Sequence, residues 1–232
     1  MEVIIRSGPE EAAELTARLI AAKVRAKPDL VLGLATGRTM ERVYDRLVAM
    51  HQSAGLDFSQ CRTFNLDEYI GVPAEDEHSY RFYMNHHLFS RVNIDPANTH
   101  VPDGMAKDLS SGAARYEQLI REAGGIDLQL LGIGEAGHIG FNEPLSALMS
   151  RTREKALTPV TRHQNAAMFG GDPEKVPERA VTMGGDDGRR HHLGCARVAA
   201  FSDGKSEGFN SGQGRRRANY CHDQRLGDSI TP

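Results

Sequence analysis

Two apolar runs, each ending in a glycine-containing turn, constrain the fold of this chain more than any other feature. Residues 29–37 read DLVLGLATG and residues 126–134 read IDLQLLGIG. Short strands that are apolar on both faces are typical of parallel sheets buried between helices. Helical periodicity in the segments between such strands gives an alternating order of strand and helix. The sequence therefore predicts an α/β fold: a Rossmann-like parallel sheet with helices on both faces.

The remaining elements follow from the same patterns. Helices are predicted over 9–27, 40–55, 79–92 and 109–125, and Gly55 is a plausible helix stop. Further short strands are predicted over 3–6 (VIIR) and 61–69 (CRTFNLDEY). Ligands of such sheets bind beyond the carboxyl ends of the strands, where ATGRT, NLDEY and GEAGHIGFNEP fall.

Charge and composition exclude several classes of protein. With 232 residues, a net charge of −3 and a pI of about 6.4, the chain has no electrostatic support for nucleic-acid or anionic-membrane binding. No apolar stretch approaches the roughly 20 residues of a membrane span, and no signal-peptide pattern opens the chain. Cys61, Cys195 and Cys221 form neither a disulfide framework nor a zinc motif. We therefore expect a cytoplasmic protein. We also expect no metal site, because the adjacent His86 and His87 point to different helix faces.

The composition changes near residue 184. Residues 185–232 are rich in Gly, Arg and Ser, and RVAAF (197–201) is their only short apolar run. We therefore divide the chain into a folded domain, 1–184, and a tail, 185–232, that is predicted to be disordered or poorly packed. A shifted reading frame is our hypothesis for this abrupt change, and resequencing of the coding DNA tests it. If the tail is genuine, part of the sheet is expected to lack a neighbouring strand.

The turn after the first buried strand is a candidate phosphate site. Thr36, Gly37, Arg38 and Thr39 lie where a strand passes into a helix, and the N–H groups at a helix start favour an anion. Gly37 permits close approach, the threonines add hydroxyl donors, and Arg38 adds charge. The alternative is that Gly and Thr serve here only as turn and cap residues.

Two further segments carry groups suited to proton transfer. Asp67 and Glu68 follow an apolar strand, and because neighbouring side chains point opposite ways, only one of them can face a given cleft. That one is a candidate general base, and the alternative is an acid in a solvated loop. His138 can take and give a proton near neutral pH, and Glu143 five residues later could orient it. The alternative is a histidine used only for hydrogen bonds in a turn.

Taken together, the motifs LGLATGRT, FNLDEYIG, HSYRFYMNHHLF and GIGEAGHIGFNEP resemble the glucosamine-6-phosphate deaminase family, up to about Gly184. The resemblance implies a sugar-phosphate isomerase type of fold and a sugar-phosphate substrate, with no cofactor. It implies that the base Asp67 moves a proton between C2 and C1, and that His138, paired with Glu143, opens the sugar ring. Residues 36–39 would bind phosphate, and Ser146, Arg153 and Lys155 fall at the effector site of allosteric members. The sequence does not determine the oligomeric state, and a homo-oligomer is one of the alternatives.

The sequence departs from the family pattern in four places. Ala136 stands where an acid or amide is usual, and Met40 replaces a proline, which is a mild change because Pro there is only a preference. Ala167 replaces an arginine that would clamp the substrate phosphate, and Arg162 or Arg38 is the candidate substitute. The tail lacks the family's closing elements and a phosphate-binding lysine. The alternatives are a galactosamine-6-phosphate deaminase, a lactone hydrolase like 6-phosphogluconolactonase, and a sugar-phosphate-binding protein without turnover.

Overall fold

The structure is a computed structural model, and it describes residues 4–133, 138–143, 146, 150–183 and, as backbone, 196–200. The α-helices are α1 (Pro9–Ala26), α2 (Arg38–Ala54), α3 (Tyr80–His87), α4 (Leu109–Glu122) and α5 (Pro159–Asn165). Single 3-10 turns span Phe89–Arg91, Pro96–Asn98, Ala166–Phe169 and Pro173–Lys175. The strands are β1 (Val31–Leu34), β2 (Arg62–Asn65), β3 (Asp67–Tyr69), β4 (Thr99–His100), β5 (Leu128–Gly132), β6 (Arg153–Ala156), β7 (Arg179–Thr182) and β8 (Ala196–Ala200).

The main sheet has five strands in the order β4-β2-β1-β5-β8, and every neighbouring pair is parallel. One face packs on α1, α2 and α3 through a core that includes Ile20, Leu32 and Tyr44. The other face packs on α4 through Phe64 and Tyr116. The predicted α/β architecture is confirmed.

Local chemistry sets the helix boundaries. The α2 helix ends at Gly55, whose φ of 62° and ψ of 30° lie in the left-handed region that glycine adopts freely, as predicted. The α3 and α4 helices begin at Ser79 and Asp108, whose side chains accept hydrogen bonds from N–H groups of the first turn. None of the helices in the described ranges is both long and apolar enough to cross a bilayer.

Two strand predictions need correction. Residues 4–6, the described part of VIIR, form no strand, and Ile4 and Ile5 are exposed. The single strand predicted over 61–69 is two strands in different sheets, because Leu66 separates β2 from β3. Here the backbone leaves the parallel sheet, and β3 pairs antiparallel with β7, which in turn pairs with β6. The second sheet was not predicted because β6 carries three consecutive charged residues, Arg153, Glu154 and Lys155, and so has no apolar run.

The tail contributes one strand to the main sheet. The β8 strand, which holds most of the RVAAF run, pairs in parallel with β5 along all five residues of each. The edge of β5 is therefore covered by a strand of the tail. The division at residue 184 stays a prediction otherwise, because 184–195 and 201–232 lie outside the described residues.

A comparison of two truncated chains measures the contribution of β8. We expect a chain ending at residue 200 to melt at least about 5 °C higher than one ending at residue 184, because the shorter chain leaves β5 without a neighbour. Thermal unfolding followed by circular dichroism gives the two midpoints. A third chain, with a Gly/Ser segment of equal length in place of 185–200, controls for added length. Equal midpoints for all three would show that β8 adds nothing.

Candidate active site

Three of the predicted segments meet at one edge of the main sheet. The strand β1 lies between β2 and β5, so the loops that follow these three parallel strands are neighbours. The chain passes from β1 to β2 on one side and returns to β5 on the other. This reversal of strand order is where open α/β sheets form a ligand crevice.

Asp67, the predicted base, is buried at this edge, with 4% of its surface exposed. Its Oδ2 atom accepts a hydrogen bond of 2.8 Å from the N–H of Phe141. Burial raises the pKa of this carboxyl to about 7, the Phe141 N–H opposes the rise, and the negative charge of Glu68 adds to it. A carboxyl with this pKa changes its protonation state at neutral pH, as a general base requires.

Phe141, whose N–H donates to Asp67, belongs to a tight turn formed by residues 138–143. The N–H of Asn142 donates to the carbonyl of Ile139 over 3.1 Å, and the two residues form an isolated antiparallel bridge. Gly140 has a φ of 56°, and a Cβ there would lie 2.8 Å from Oδ2 of Asp67. Only glycine lets this turn close over the buried carboxylate.

His138 and Glu143 stand at the two ends of this turn. His138 is half-buried, and its Cα lies within roughly 7 Å of that of Gly140, given the reach of two residues. Glu143 is buried, and its Oε1 accepts from the N–H and the hydroxyl of Thr158 over 3.0 and 3.2 Å. Its Oε2 is also buried and accepts no hydrogen bond from the residues that the structure describes. The pairing of His138 with Glu143 stays a prediction.

Tyr69, Tyr80 and Phe141 form an aromatic cluster beside Asp67. The ring of Tyr80 stacks on Phe141 with centroids 5.5 Å apart, and Tyr69 lies 5.1 Å from Tyr80 and 4.9 Å from Phe141. Burial raises the pKa of Tyr80 far above its usual range, so its hydroxyl stays protonated. Sequence analysis missed these rings as parts of the site, although HSYRFYMNHHLF contains Tyr80.

The predicted phosphate loop lies close to the same aromatic cluster. The α2 helix begins at Arg38, and Gly37 has a φ of 116°, which glycine tolerates and other residues rarely adopt. The carbonyl of Gly37 accepts from the Tyr83 hydroxyl over 2.8 Å, and the Thr36 side chain lies close enough to Tyr80 to lower the pKa of its hydroxyl slightly against the effect of burial. Arg38 is exposed and Thr39 is half-buried. Tyr80 therefore lies near both the predicted phosphate loop and the 138–143 turn.

The candidate effector residues lie close to the turn in two cases. Arg153, on β6, donates from Nη2 to Oδ1 of Asn142 over 2.6 Å, and burial lowers its pKa. The N–H of Ser146 donates to the carbonyl of Glu143 over 3.1 Å. Lys155 lies two residues after Arg153, on the same face of β6.

The substitutes for the missing arginine differ in position. Ala167 itself is exposed in the 3-10 turn Ala166–Phe169. Arg162 lies on α5 with a largely buried side chain, at 3.4 Å from Glu174 and 3.9 Å from Glu178. Its ionic contacts in the described ranges are thus with these two acids. Ala136 lies outside the described residues.

Comparison with known proteins defines the class. The model of the glucosamine-6-phosphate isomerases/6-phosphogluconolactonase family matches residues 8–183, and the chain belongs to this family. A 6-phosphogluconolactonase from Thermotoga maritima aligns with a TM-score of 0.58 at 23% identity. The alignment covers 78% of this chain and 76% of the lactonase chain, and at this identity it shows the shared fold alone.

Within the family, the chain is similar to the glucosamine-6-phosphate deaminases. It is 53% identical over 168 residues to Glucosamine-6-phosphate deaminase 1 of Giardia intestinalis, a match that covers 72% of this chain but only 63% of that relative. It is 46% identical to Glucosamine-6-phosphate deaminase 2 of Bacillus subtilis, over 79% of this chain and 74% of the relative. A monomeric glucosamine-6-phosphate deaminase of solved structure aligns with a TM-score of 0.77 at 44% identity, over 80% of this chain and 76% of its own.

The buried state of Asp67 predicts a pH-dependent gain in stability for Asp67→Asn. Because the folded-state pKa of about 7 exceeds the ordinary value of 3.8, the folded chain binds this proton more tightly, and stability is lost as pH rises between these values. An amide does not titrate and can still accept from Phe141. We expect the free energy of unfolding of the variant to equal that of the wild type at pH 4 and to exceed it at pH 8 by about a few kcal/mol.

Urea unfolding at both pH values measures this difference. Asp127→Asn is a suitable control, because Asp127 is a partly exposed acid that pairs with Lys27. An equal effect of Asp67→Asn at pH 4 and pH 8 would contradict the raised pKa.

Proposed function

We propose that this chain converts glucosamine 6-phosphate and water to fructose 6-phosphate and ammonia. The observation that carries the proposal is the buried Asp67 carboxyl, held by the Phe141 N–H between the phosphate loop and the His138–Glu143 turn. The similarity to glucosamine-6-phosphate deaminases supports the choice of substrate. Because the chain spans only 63% of the Giardia relative, the activity of the whole protein needs a direct test.

The proposed role of Asp67 is to carry a proton between two carbons. An aldose becomes a ketose when a base removes the proton at C2 of the open-chain sugar and returns one at C1. With its pKa raised to about 7 by burial, the Asp67 carboxylate is a stronger base than a solvated aspartate. Loss of ammonia from C2 by addition of water then leaves the ketose phosphate.

The proposed role of His138 and Glu143 is to open the sugar ring. An imidazole can move a proton at the ring oxygen, and a carboxylate beside it fixes its orientation. The Glu143 Oε1 atom accepts from Thr158, whereas its buried Oε2 accepts no hydrogen bond within the described part of the chain, which leaves it available there to an imidazole N–H. Thr158 was not singled out from the sequence, since its contact with Glu143 spans 15 residues.

The proposed phosphate site is the start of α2. The helix begins without a side-chain cap at Gly37, so its first N–H groups are open to an anion. Thr36, Thr39 and the exposed Arg38 border the same position. Arg162 contacts Glu174 and Glu178, which favours Arg38 as the cation that replaces the arginine missing at Ala167.

Sugar-phosphate binding without turnover is the second candidate function. Ala167 favours it, because the exposed methyl group there supplies no clamp for phosphate. It predicts that glucosamine 6-phosphate raises the melting temperature without release of ammonia. Galactosamine 6-phosphate and 6-phosphogluconolactone complete the substrate panel.

The first prediction for the proposed reaction concerns pH. We expect the full chain to release ammonia from glucosamine 6-phosphate, with kcat/KM falling as pH drops below about 7, because Asp67 must be ionised to act as the base. Asp67→Asn should abolish turnover while the chain remains folded. Near-normal turnover in that variant would refute the assignment of the base.

A second prediction separates ring opening from proton transfer. His138→Gln should reduce turnover of the cyclic substrate about 100-fold, the usual contribution of a general acid–base. A substrate analogue locked in the open-chain form should restore most of this loss. His163→Gln is the matched control, since His163 is exposed on α5 and bonded to the carbonyl of Pro159. Equal losses on both substrates would assign His138 to another step.

A further inference from the structure

Glu68 is a second buried carboxylate immediately beside the candidate base. It lies on β3 next to Asp67, and the two side chains point to opposite faces of the strand. Only 3% of its surface is exposed, and Gly104 packs so closely that a Cβ there would lie 3.4 Å from Cγ of Glu68. A buried charge of this kind is costly unless its oxygens are fully hydrogen-bonded.

Four donors satisfy this carboxylate. Its Oε1 accepts from the N–H groups of Tyr69 and Tyr80, both at 2.9 Å. Its Oε2 accepts from the Ser79 hydroxyl at 2.9 Å and the Arg81 N–H at 3.0 Å. Ser79 Oγ itself accepts from the N–H groups of Arg81 and Phe82, so its proton points at Glu68. Burial raises the pKa of Glu68, and these four hydrogen bonds, all of them from donors, oppose the rise and favour the ionised carboxylate.

These contacts attach the start of α3 to β3. The first N–H groups of a helix have no partners within the helix, and here Glu68 accepts from those of Tyr80 and Arg81. Tyr80 is the residue whose ring stacks on Phe141, and the Phe141 N–H donates to Asp67. A continuous set of contacts therefore runs from the Glu68 carboxylate through Tyr80 and Phe141 to the base.

Several titratable groups surround this pair of acids. Those that interact with Asp67 are Glu68 and Tyr69 on its own strand, Tyr80 on α3 and Tyr116 on α4. Glu68 interacts in addition with Arg81, whose guanidinium donates to the hydroxyl and the carbonyl of Thr99. The tyrosines are neutral at physiological pH because burial raises their pKa values. The charge beside Asp67 on its own strand is thus that of Glu68.

We propose that Glu68 is a positioning residue for the reaction: its ionised carboxylate fixes Tyr80 against the Phe141 turn and places a negative charge beside Asp67. This inference rests on the proposed function of Asp67 as the base. Because its side chain points away from that of Asp67 and both of its oxygens are occupied by protein donors, Glu68 acts through the environment of Asp67. Loss of its charge and of its hold on α3 should make Asp67 both more solvated and less repelled, and therefore easier to ionise.

The decisive experiment follows the titration of Asp67 itself. In the full chain labelled with 13C-carboxyl aspartate, an Asp67 signal titrating near pH 7 should stand apart from ordinary aspartates near 3.8, and its absence in Asp67→Asn assigns it. In Glu68→Gln we expect the midpoint to fall by about one pH unit or more. The acid limb of kcat/KM should move to lower pH by the same amount, and kcat should fall about 10-fold from misplacement of Tyr80.

Two further variants separate positioning from simple stability. Glu68→Asp keeps the charge but shortens the side chain; if Glu68→Gln does not fold, this milder variant decides, and a lower midpoint is again expected, by a smaller amount. Asp108→Asn is the matched control, because Asp108 is an exposed carboxylate that caps α4 through Ser110 and Ser111. It should lower the melting temperature and leave the Asp67 midpoint unchanged.

An unchanged Asp67 midpoint in the folded Glu68 variants would overturn the proposal and leave Glu68 as a helix cap only. The NMR titration needs no turnover. Absence of ammonia release by the wild-type chain would therefore count against the proposed function, whereas a shifted midpoint would still support the role of Glu68 in setting the state of Asp67.

Discussion

The hydrogen bond from the Phe141 N–H to the Asp67 carboxylate is the interaction on which the rest of the site depends. It is the point where a turn following β5 meets a strand of the second sheet, and it spans 74 residues of sequence. Without a buried acceptor, this N–H would lose a hydrogen bond inside an aromatic cluster. Without the N–H, the carboxyl would be harder still to ionise. Each group therefore makes the burial of the other tolerable.

The surrounding side chains balance two opposing requirements. A general base needs a raised pKa, which demands burial, but it must still ionise at neutral pH, which demands polar contacts. The tilted rings of Tyr69 and Tyr80 contribute to the burial of Asp67, and the backbone of the 138–143 turn supplies the polar contact. Residues from β3, α3 and the turn all take part, so the site cannot form before the two sheets are assembled.

The sequence predicted the main sheet and the meeting of three loops because both depend on local patterns. Buried runs such as DLVLGLATG mark parallel strands, and parallel strands place their carboxyl ends together. The second sheet was missed because Arg153 to Ala156 alternates half-buried and exposed positions without an apolar run. The sequence marked Glu68 only as the neighbour of Asp67 in a pair of candidate bases, and it did not mark Thr158. Their contacts are hydrogen bonds across 11 to 15 residues, and no spacing in the sequence indicates such contacts.

The transition at Leu66 has a geometric consequence for the size of ligand that the crevice can hold. This one residue joins the sheet that precedes the predicted phosphate loop to the sheet that carries Asp67. Its N–H donates to the Leu34 carbonyl, and its carbonyl accepts from the Met183 N–H. In the proposed function, the distance from the bound anion to the base is therefore set by the spacing between these two sheets. This spacing is expected to select ligands by the distance between their phosphate group and the reacting carbon.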